Sequence, residues 1–358
     1  MEKCPSPSPK RNDMKNLIVV LLIISFFSAN GYSYGPRGHH LVGAIADRRL
    51  AKNETMATKV KELLDGTTLE RAATFPDEIK GWAKCGDNKN KVNAQDSVPA
   101  SSRINKELRA FVKANLSEPC HNEFHYTDVP VFGDDKYADA EVGVSDFDIV
   151  HMIPYCIRVL NNKEPQPNER AITKSVAVIL LAHYLGDIHQ PLHVGAEFFD
   201  ANGNAFEPTK TNKGFADQGG NKLTLFTFMS GKLTTAGKFH GYWDGQTVTN
   251  AFGNSKDSTV ATKLANKEPA NWQLAGAVEG WAEQLANERL PIAHDAHQRL
   301  KYAAIKIKLD DPEIVSGRAE EKKKVGGKFY AIWAAAIVKE QIHKAGWRLA
   351  AVLEEALQ

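Results

Sequence analysis

The chain has 358 residues, 42% of them hydrophobic and 25% charged, with a formal net charge of +2. These are the proportions of a globular chain able to bury a large core, and they exclude a disordered, collagenous or many-span membrane protein. Forty-five basic against forty-three acidic residues also exclude a protein that grips polyanions by bulk charge, so any phosphate binding must be local.

Lys15 precedes an eleven-residue apolar run, Leu17 to Phe27, too short to span a membrane. Gly31 and Ser33 then place small residues where a signal peptidase reads them. The stretch 1–33 is therefore expected to be a secretory signal peptide with an upstream extension, Met14 being the plausible start. Cleavage after Ser33 makes Tyr34 the mature N-terminus of a secreted or periplasmic protein. It removes four Lys/Arg and two Asp/Glu, leaving 41 of each sign. It also removes Cys4, so Cys85, Cys120 and Cys156 can form at most one internal disulfide. Cys85–Cys120 is favoured because both lie in polar, loop-like stretches, although sequence leaves the pairing open. Cys156, within the apolar run 153–157, reads as a buried thiol.

An extended, glycine-rich start, 34–40, leads into a predicted helix over 41–50. Further helices are expected over 53–64, from Leu69 into Asp77, and over 105–116, with a polar loop at 83–102. Asp146–Asn161 and Glu169–His189 are long and apolar. The segment 196–220, rich in Gly, Asn and Asp, reads as a long loop. Asn221 to Phe228 alternates polar and apolar residues like a strand or short hairpin. Helices follow over 255–267, 274–288 and 328–357. No linker or repeat interrupts 34–358, which predicts one all-α, mainly helical domain with a short strand or hairpin around 221–228.

Chemistry concentrates on one helix and the corner that ends it. His183 and Asp187 are four residues apart and so share a helix face. Pro191 cannot extend that helix, so the chain turns and brings His193 near the same face. Two imidazoles and a carboxylate at a buried helix end suit zinc. A lone H-x-x-x-D is more often a structural His–Asp hydrogen bond. Here, however, His240 and Asp244 repeat the spacing, and His39, Asp77, His125 and Asp128 stand near element ends or in short motifs.

These motifs carry a resemblance. Gly38-His39, Phe75-Pro76-Asp77, Phe124-His125-Tyr126-Thr127-Asp128, His183…Asp187…His193, Gly219-Gly220-Asn221-Lys222 and His240…Trp243-Asp244 occur in the order of the S1/P1 nuclease family, and the chain resembles that family over nearly all of 34–358. The resemblance implies the helical phospholipase C/P1 nuclease fold and three zinc ions. One would be held by Asp77, His125, His183 and Asp187. A second would be held by His193, His240 and Asp244. A third would use the amine and carbonyl of Tyr34 with His39 and Asp187. It further implies that Asp128 orients His125 and reaches the base, and that Lys80 lies near the phosphate. Tyr126 would stack on an unpaired base, and Asn221 would line the same pocket. The implied catalytic set is Asp77, Lys80, Asp128 and Asp187. The implied activity is hydrolysis of single-stranded DNA or RNA to 5′-phosphates, with 3′-nucleotidase activity as a possible companion. The substrates are then nucleic acids and nucleotides, with no membrane span and no obligate protein partner. The family's N-terminal residue is usually Trp where this chain has Tyr34, and the stretch between His193 and Gly219 is longer here than in compact members. A zinc phospholipase C is the nearest alternative, but its last ligand is usually Glu rather than Asp244. A non-catalytic secreted helical binding protein is the alternative of another class.

Overall fold

The computed structural model describes residues 34–93, 98–133, 136–309 and 313–358; the expected leader, 1–33, lies outside the described residues. At the centre is the helix α7 (Lys174–Asp187), capped by Thr173, whose side-chain oxygen accepts the Val176 N–H. Every residue from Ser175 to Asp187 is buried. A helix that is apolar all round has no solvent face, so other helices must surround it.

Among the helices packed against α7 are α1 (Gly35–Leu50), α3 (Leu69–Ala72), α4 (Phe75–Ile79) and α6 (Ile149–Leu160) before it and α12 (Tyr330–Ala356) after it. The remaining helices are α2 (Glu54–Leu63), α5 (Ser102–Ala114), α8 (Phe239–Gly241), α9 (Thr247–Phe252), α10 (Asp257–Ala265) and α11 (Trp281–Gln298). Side-chain caps at Asn53, Ser101 and Asp148 set the starts of α2, α5 and α6. Gly346 lets α12 cross α1 closely: a Cβ there would lie 2.5 Å from that of Ile45.

The chain departs from expectation at several places. α1 begins at Gly35 rather than after an extended 34–40, because Pro36 in the first turn is preset for helix and needs no N–H partner. The helix expected at 274–288 starts only at Trp281, after Gly276 and Gly280, and runs on to Gln298. The segment 196–220 is not all loop. Here β2 (Gly195–Ala196) pairs in parallel with β1 (Val129–Pro130), and β3 (Phe198–Phe199) pairs with β4 (Phe215–Ala216).

The strand expected at 221–228 is β5 (Leu223–Met229), which forms a hairpin with β6 (Lys232–Lys238). Sequence did not foresee its other neighbour, the hairpin of β7 (Leu300–Lys308) and β8 (Glu313–Glu321). β5 and β8 run parallel, giving the four-stranded order β6-β5-β8-β7. Leu223, Leu225, Ala319, Ile314 and Leu300 point inward to the helical core. The architecture is mainly helical, with this sheet as an appendage.

Cys85 and Cys120 form a disulfide, and Cys156 is a buried free thiol whose pKa burial pushes up. Among the described residues no helix is long and apolar enough to cross a membrane.

Candidate metal centre

Of nine residues expected at the site, Tyr34 precedes α1 and the other eight come from seven elements. His183 and Asp187 close α7, and Pro191 opens the short 3-10 turn that delivers His193. His125 ends another 3-10 turn, which begins directly after the disulfide half Cys120. Asp77 sits in α4, His39 in the first turns of α1, and His240 in α8. Asp244 lies in the single π-type turn that continues α8.

The fold brings eight of them into three buried groups: His39, His183 and Asp187; Asp77, His125 and His183; His193, His240 and Asp244. Asp187 ties the first two together. Its two carboxylate oxygens lie 3.2 Å from His39 Nε2 on one side, and 2.9 Å from His125 Nδ1 and 3.1 Å from His183 Nε2 on the other. His39 and His183 stack with centroids 3.8 Å apart.

Three backbone carbonyls decide which nitrogens face inward. His183 Nδ1 donates to Ala73 O at 2.7 Å, His193 Nδ1 to His125 O at 2.8 Å, and His240 Nδ1 to Gly219 O at 2.8 Å. In its neutral form each ring therefore keeps its lone pair on Nε2. Gly219 is required at that corner. Its φ is +57°, and a Cβ would come within 2.0 Å of Leu192 O.

The consequence is a set of acceptors aimed at one another. His193 Nε2 and His240 Nε2 are 3.1 Å apart, and Asp244 Oδ2, buried without a hydrogen-bond partner, is 3.4 Å from His240 Nε2. His183 Nε2 and His125 Nδ1 are 3.0 Å apart, with Asp77 Oδ1 3.6 Å from His183 Nε2. Protonation is a poor remedy at the His193–His240 pair, since burial pushes His240 down to about 3 and lowers His193. At His193 and His240 the facing lone pairs with no donor between them fit a divalent cation, and the mixed N/O donors suit zinc.

The carboxylates respond to the same neighbours. Burial opposes ionisation of Asp77, yet Lys80 Nζ at 2.7 Å and the nearby imidazoles outweigh it and hold the group at about 2. Asp187 is likewise driven well below the usual range, burial notwithstanding, chiefly by His183 and His193. Burial pushes Asp244 well up, with the Asp77 and Asp187 charges adding to it and the Gln190 hydrogen bond and Lys80 opposing it.

Tyr34 caps α1 in a left-handed conformation, fully buried, with its carbonyl accepting the Gly38 N–H at 3.0 Å and its hydroxyl donating to His189 O at 2.8 Å. Among the described residues no hydrogen bond joins the Asp128 carboxyl to His125, whose Nδ1 faces Asp187. The Asp128 backbone N–H is held by Gly143 O, and burial raises its carboxyl to about 7. The neighbouring Tyr126 is 39% exposed. Asn221 is half-buried, and its Nδ2 donates to Gln218 O.

Sequence reasoning missed Gln190. It is fully buried, its Nε2 donates to Asp244 Oδ1 at 3.0 Å, and its Oε1 accepts the Leu192 N–H. Its position between two histidines in His189-Gln190-Pro191-Leu192-His193 was the available signal. The three carbonyls of Ala73, His125 and Gly219 left no signal in residue type.

A family model for "S1/P1 Nuclease" matches residues 34–358. Endonuclease 2 of Arabidopsis thaliana is 23% identical over 274 residues, covering 75% of this chain and 76% of its own. Endonuclease 5 of the same plant is 24% identical over 185 residues, covering 51% and 53%. With the match spanning the whole described chain, this protein belongs to the S1/P1 nuclease family.

Proposed function

We propose that this protein is a secreted, zinc-dependent endonuclease that hydrolyses single-stranded DNA or RNA to 5′-phosphate products, with 3′-nucleotidase activity on nucleotides. The observation that carries the reading is the set of three buried donor groups: His39, His125 and His183 converge on Asp187, and His193 and His240 face each other beside Asp244. In this reading three ions sit there, one each on Asp77/His125/His183/Asp187, His193/His240/Asp244 and Tyr34/His39/Asp187. Bound zinc supplies Lewis acidity, polarising a phosphodiester and lowering the pKa of water toward neutrality. Asp187 fixes the spacing between groups, and Gln190 aims Asp244. Lys80, held beside Asp77, adds a cation where a phosphate would lie.

The Tyr126 ring, partly exposed beside His125, provides a face for an unpaired base, a contact worth about 1–3 kcal/mol. Paired bases cannot reach it, which favours single strands. Asp128, near half-protonation at neutral pH, can donate to or accept from the edge of that base. Asn221 lines the same side.

The test is incubation of purified protein with single-stranded DNA, RNA and phosphatidylcholine, with and without a chelator. Cleavage of the nucleic acids alone, abolished by chelation and restored by zinc, is expected. Turnover of phosphatidylcholine alone would move the chain to the phospholipase branch. Persistence of nucleic-acid cleavage without metal would overturn the zinc assignment.

A further inference from the structure

The four-stranded sheet has an inner face that joins the core and an outer face that nothing in the catalytic reading uses. The pairing register puts Lys238 of β6 opposite Thr224 of β5, Thr224 beside Arg318 of β8, and Ala303 of β7 opposite Arg318. Lys301 lies opposite Glu320, and Lys306 opposite Ser316. Since side chains alternate along a strand, these residues share the face opposite to Leu223, Leu225 and Ala319. Lys238, Lys301, Lys306 and Arg318 are all exposed.

The two carboxylates on or beside this face are already engaged. Glu320 pairs with Arg318 at 2.8 Å, and Glu313 pairs with Lys222 at 2.8 Å. Among the described residues Lys238, Lys301 and Lys306 make no ion pair. The face therefore carries an excess of positive charge, although the mature chain has equal numbers of both signs.

Aromatic rings interleave with these cations. Phe226 and Phe228, half-buried, project from β5 on the same outer face. The Arg318 guanidinium lies 4.3 Å above the Phe226 ring. Phe228 packs 6.4 Å from Phe329, and Lys324 Nζ lies 4.8 Å over that Phe329 ring. Cations alternating with rings are what a single strand needs, with phosphates meeting the charges and unpaired bases the π-faces.

The ends of the β5–β6 hairpin also lie close in sequence to residues of the metal centre. β5 starts two residues after Asn221, and β6 ends at Lys238, two residues before His240. A seven-residue strand extends roughly 23 Å, which sets the length of the face.

We propose that the outer face of this sheet is a platform for single-stranded nucleic acid, binding the part of a long substrate that extends beyond the metal centre. The proposal rests on the nuclease reading for its choice of occupant. It goes beyond that reading by assigning residues that contribute only when the substrate is long. The platform raises the occupancy of long strands and leaves the chemistry at the cluster untouched.

The test compares the parent with a Lys301→Gln/Lys306→Gln/Arg318→Gln variant, all exposed positions. A Lys301→Arg/Lys306→Arg variant serves as the charge-retaining control. Two substrates are used, a single-stranded polynucleotide and a dinucleotide. Binding of the intact holoprotein to a phosphorothioate strand, read by fluorescence anisotropy across a salt series, supplies a readout independent of turnover. The triple Gln variant is expected to lose about tenfold in kcat/KM on the polynucleotide through KM, and none on the dinucleotide. Its log affinity should fall less steeply with log salt, by up to about 2 for three lost phosphate contacts. The Arg control should match the parent in both.

Equal losses on both substrates, or none on the polynucleotide, would overturn the platform. So would a parent that binds phosphatidylserine vesicles through these residues and no strand. Failure of the nuclease reading is distinguishable: the parent would then cleave neither substrate, whereas failure of the platform leaves dinucleotide cleavage intact.

Discussion

Two buried clusters of carboxylates and imidazoles lie close together in this protein, and burial treats them alike while their neighbours do not. In the candidate metal centre, Asp77 and Asp187 are held below the usual carboxylate range despite burial, Asp77 by Lys80 and imidazoles and Asp187 by imidazoles. In the second cluster, Glu197, Asp217, His297 and Tyr302, burial pushes Glu197 up to about 7 and Asp217 well above its ordinary value, and His297 down to about 3. The first cluster retains charge at Asp77 and Asp187, and at His193 and His240 it aims acceptor at acceptor. The second is close to neutral and chained by hydrogen bonds, His297 Nδ1 to Tyr302 Oη at 2.7 Å and Tyr302 Oη to Glu197 Oε2 at 3.2 Å.

The comparison teaches that residue type and burial do not make a metal site; convergence of unprotonated donors does. The second cluster serves the first from behind. Asp217 Oδ1 accepts the Glu197 N–H, its backbone N–H donates to Glu197 O, and its carbonyl accepts the Lys222 N–H. These bonds clamp the turn on which Gly219 presents its carbonyl to His240.

The largest effect should come from breaking the hub of the first cluster. Asp187→Asn is expected to abolish nuclease activity and to lower zinc content by more than one ion per chain, measured by metal analysis. Unchanged zinc would remove the bridging role. Nearly as large is the effect of blocking the amine of Tyr34. A chain beginning at Ser33 turns that nitrogen into an amide, whose lone pair is delocalised, whereas a free α-amine with pKa of roughly 7.7–8.0 can ligate near neutral pH. Such a chain should lack one zinc and be largely inactive, and Tyr34→Trp should retain activity. Full activity with Ser33 in place would sink the amine assignment.

A smaller loss is expected where no ligand is touched. Tyr126→Ala should reduce kcat/KM on short single strands by about tenfold, in line with one lost stacking contact of 1–3 kcal/mol, at unchanged zinc content. Equal rates for variant and parent would remove Tyr126 from the site.

The smallest effect tests the second cluster, and it has a sign. Glu197 takes up its proton at about 7 in the folded chain but near 4.5 when exposed by unfolding. Between those values the folded state holds a proton that the unfolded chain has released, so this contribution is full below about 4.5 and declines as pH rises through about 7. Glu197→Gln should flatten that decline by about 1–3 kcal/mol, raising Tm by a few degrees at pH 8 and changing it little at pH 5. Identical pH dependence of Tm in the two chains would show that Glu197 does not carry the proton.

Much of this molecule is legible in one dimension because its signals are local. The H-x-x-x-D spacings follow from helix geometry, Pro191 from its missing N–H and fixed φ, and the helix starts at α2, α5, α6 and α7 from capping side chains. The donor residues could be named from type and order, and the Cys85–Cys120 pair was the favoured one. What stayed hidden is non-local. The bond fixing the His183 tautomer joins residues 110 apart in sequence and involves a carbonyl that every residue possesses. The β7–β8 hairpin is interrupted by register shifts that blur its alternation, and its parallel partner β5 lies some ninety residues upstream. Glu197 and Asp217 look like ordinary loop acids until burial neutralises them. Sequence determined which side chains could donate to a metal; only the tertiary structure decided which of their atoms face one another, because that depends on distant backbone brought near by packing.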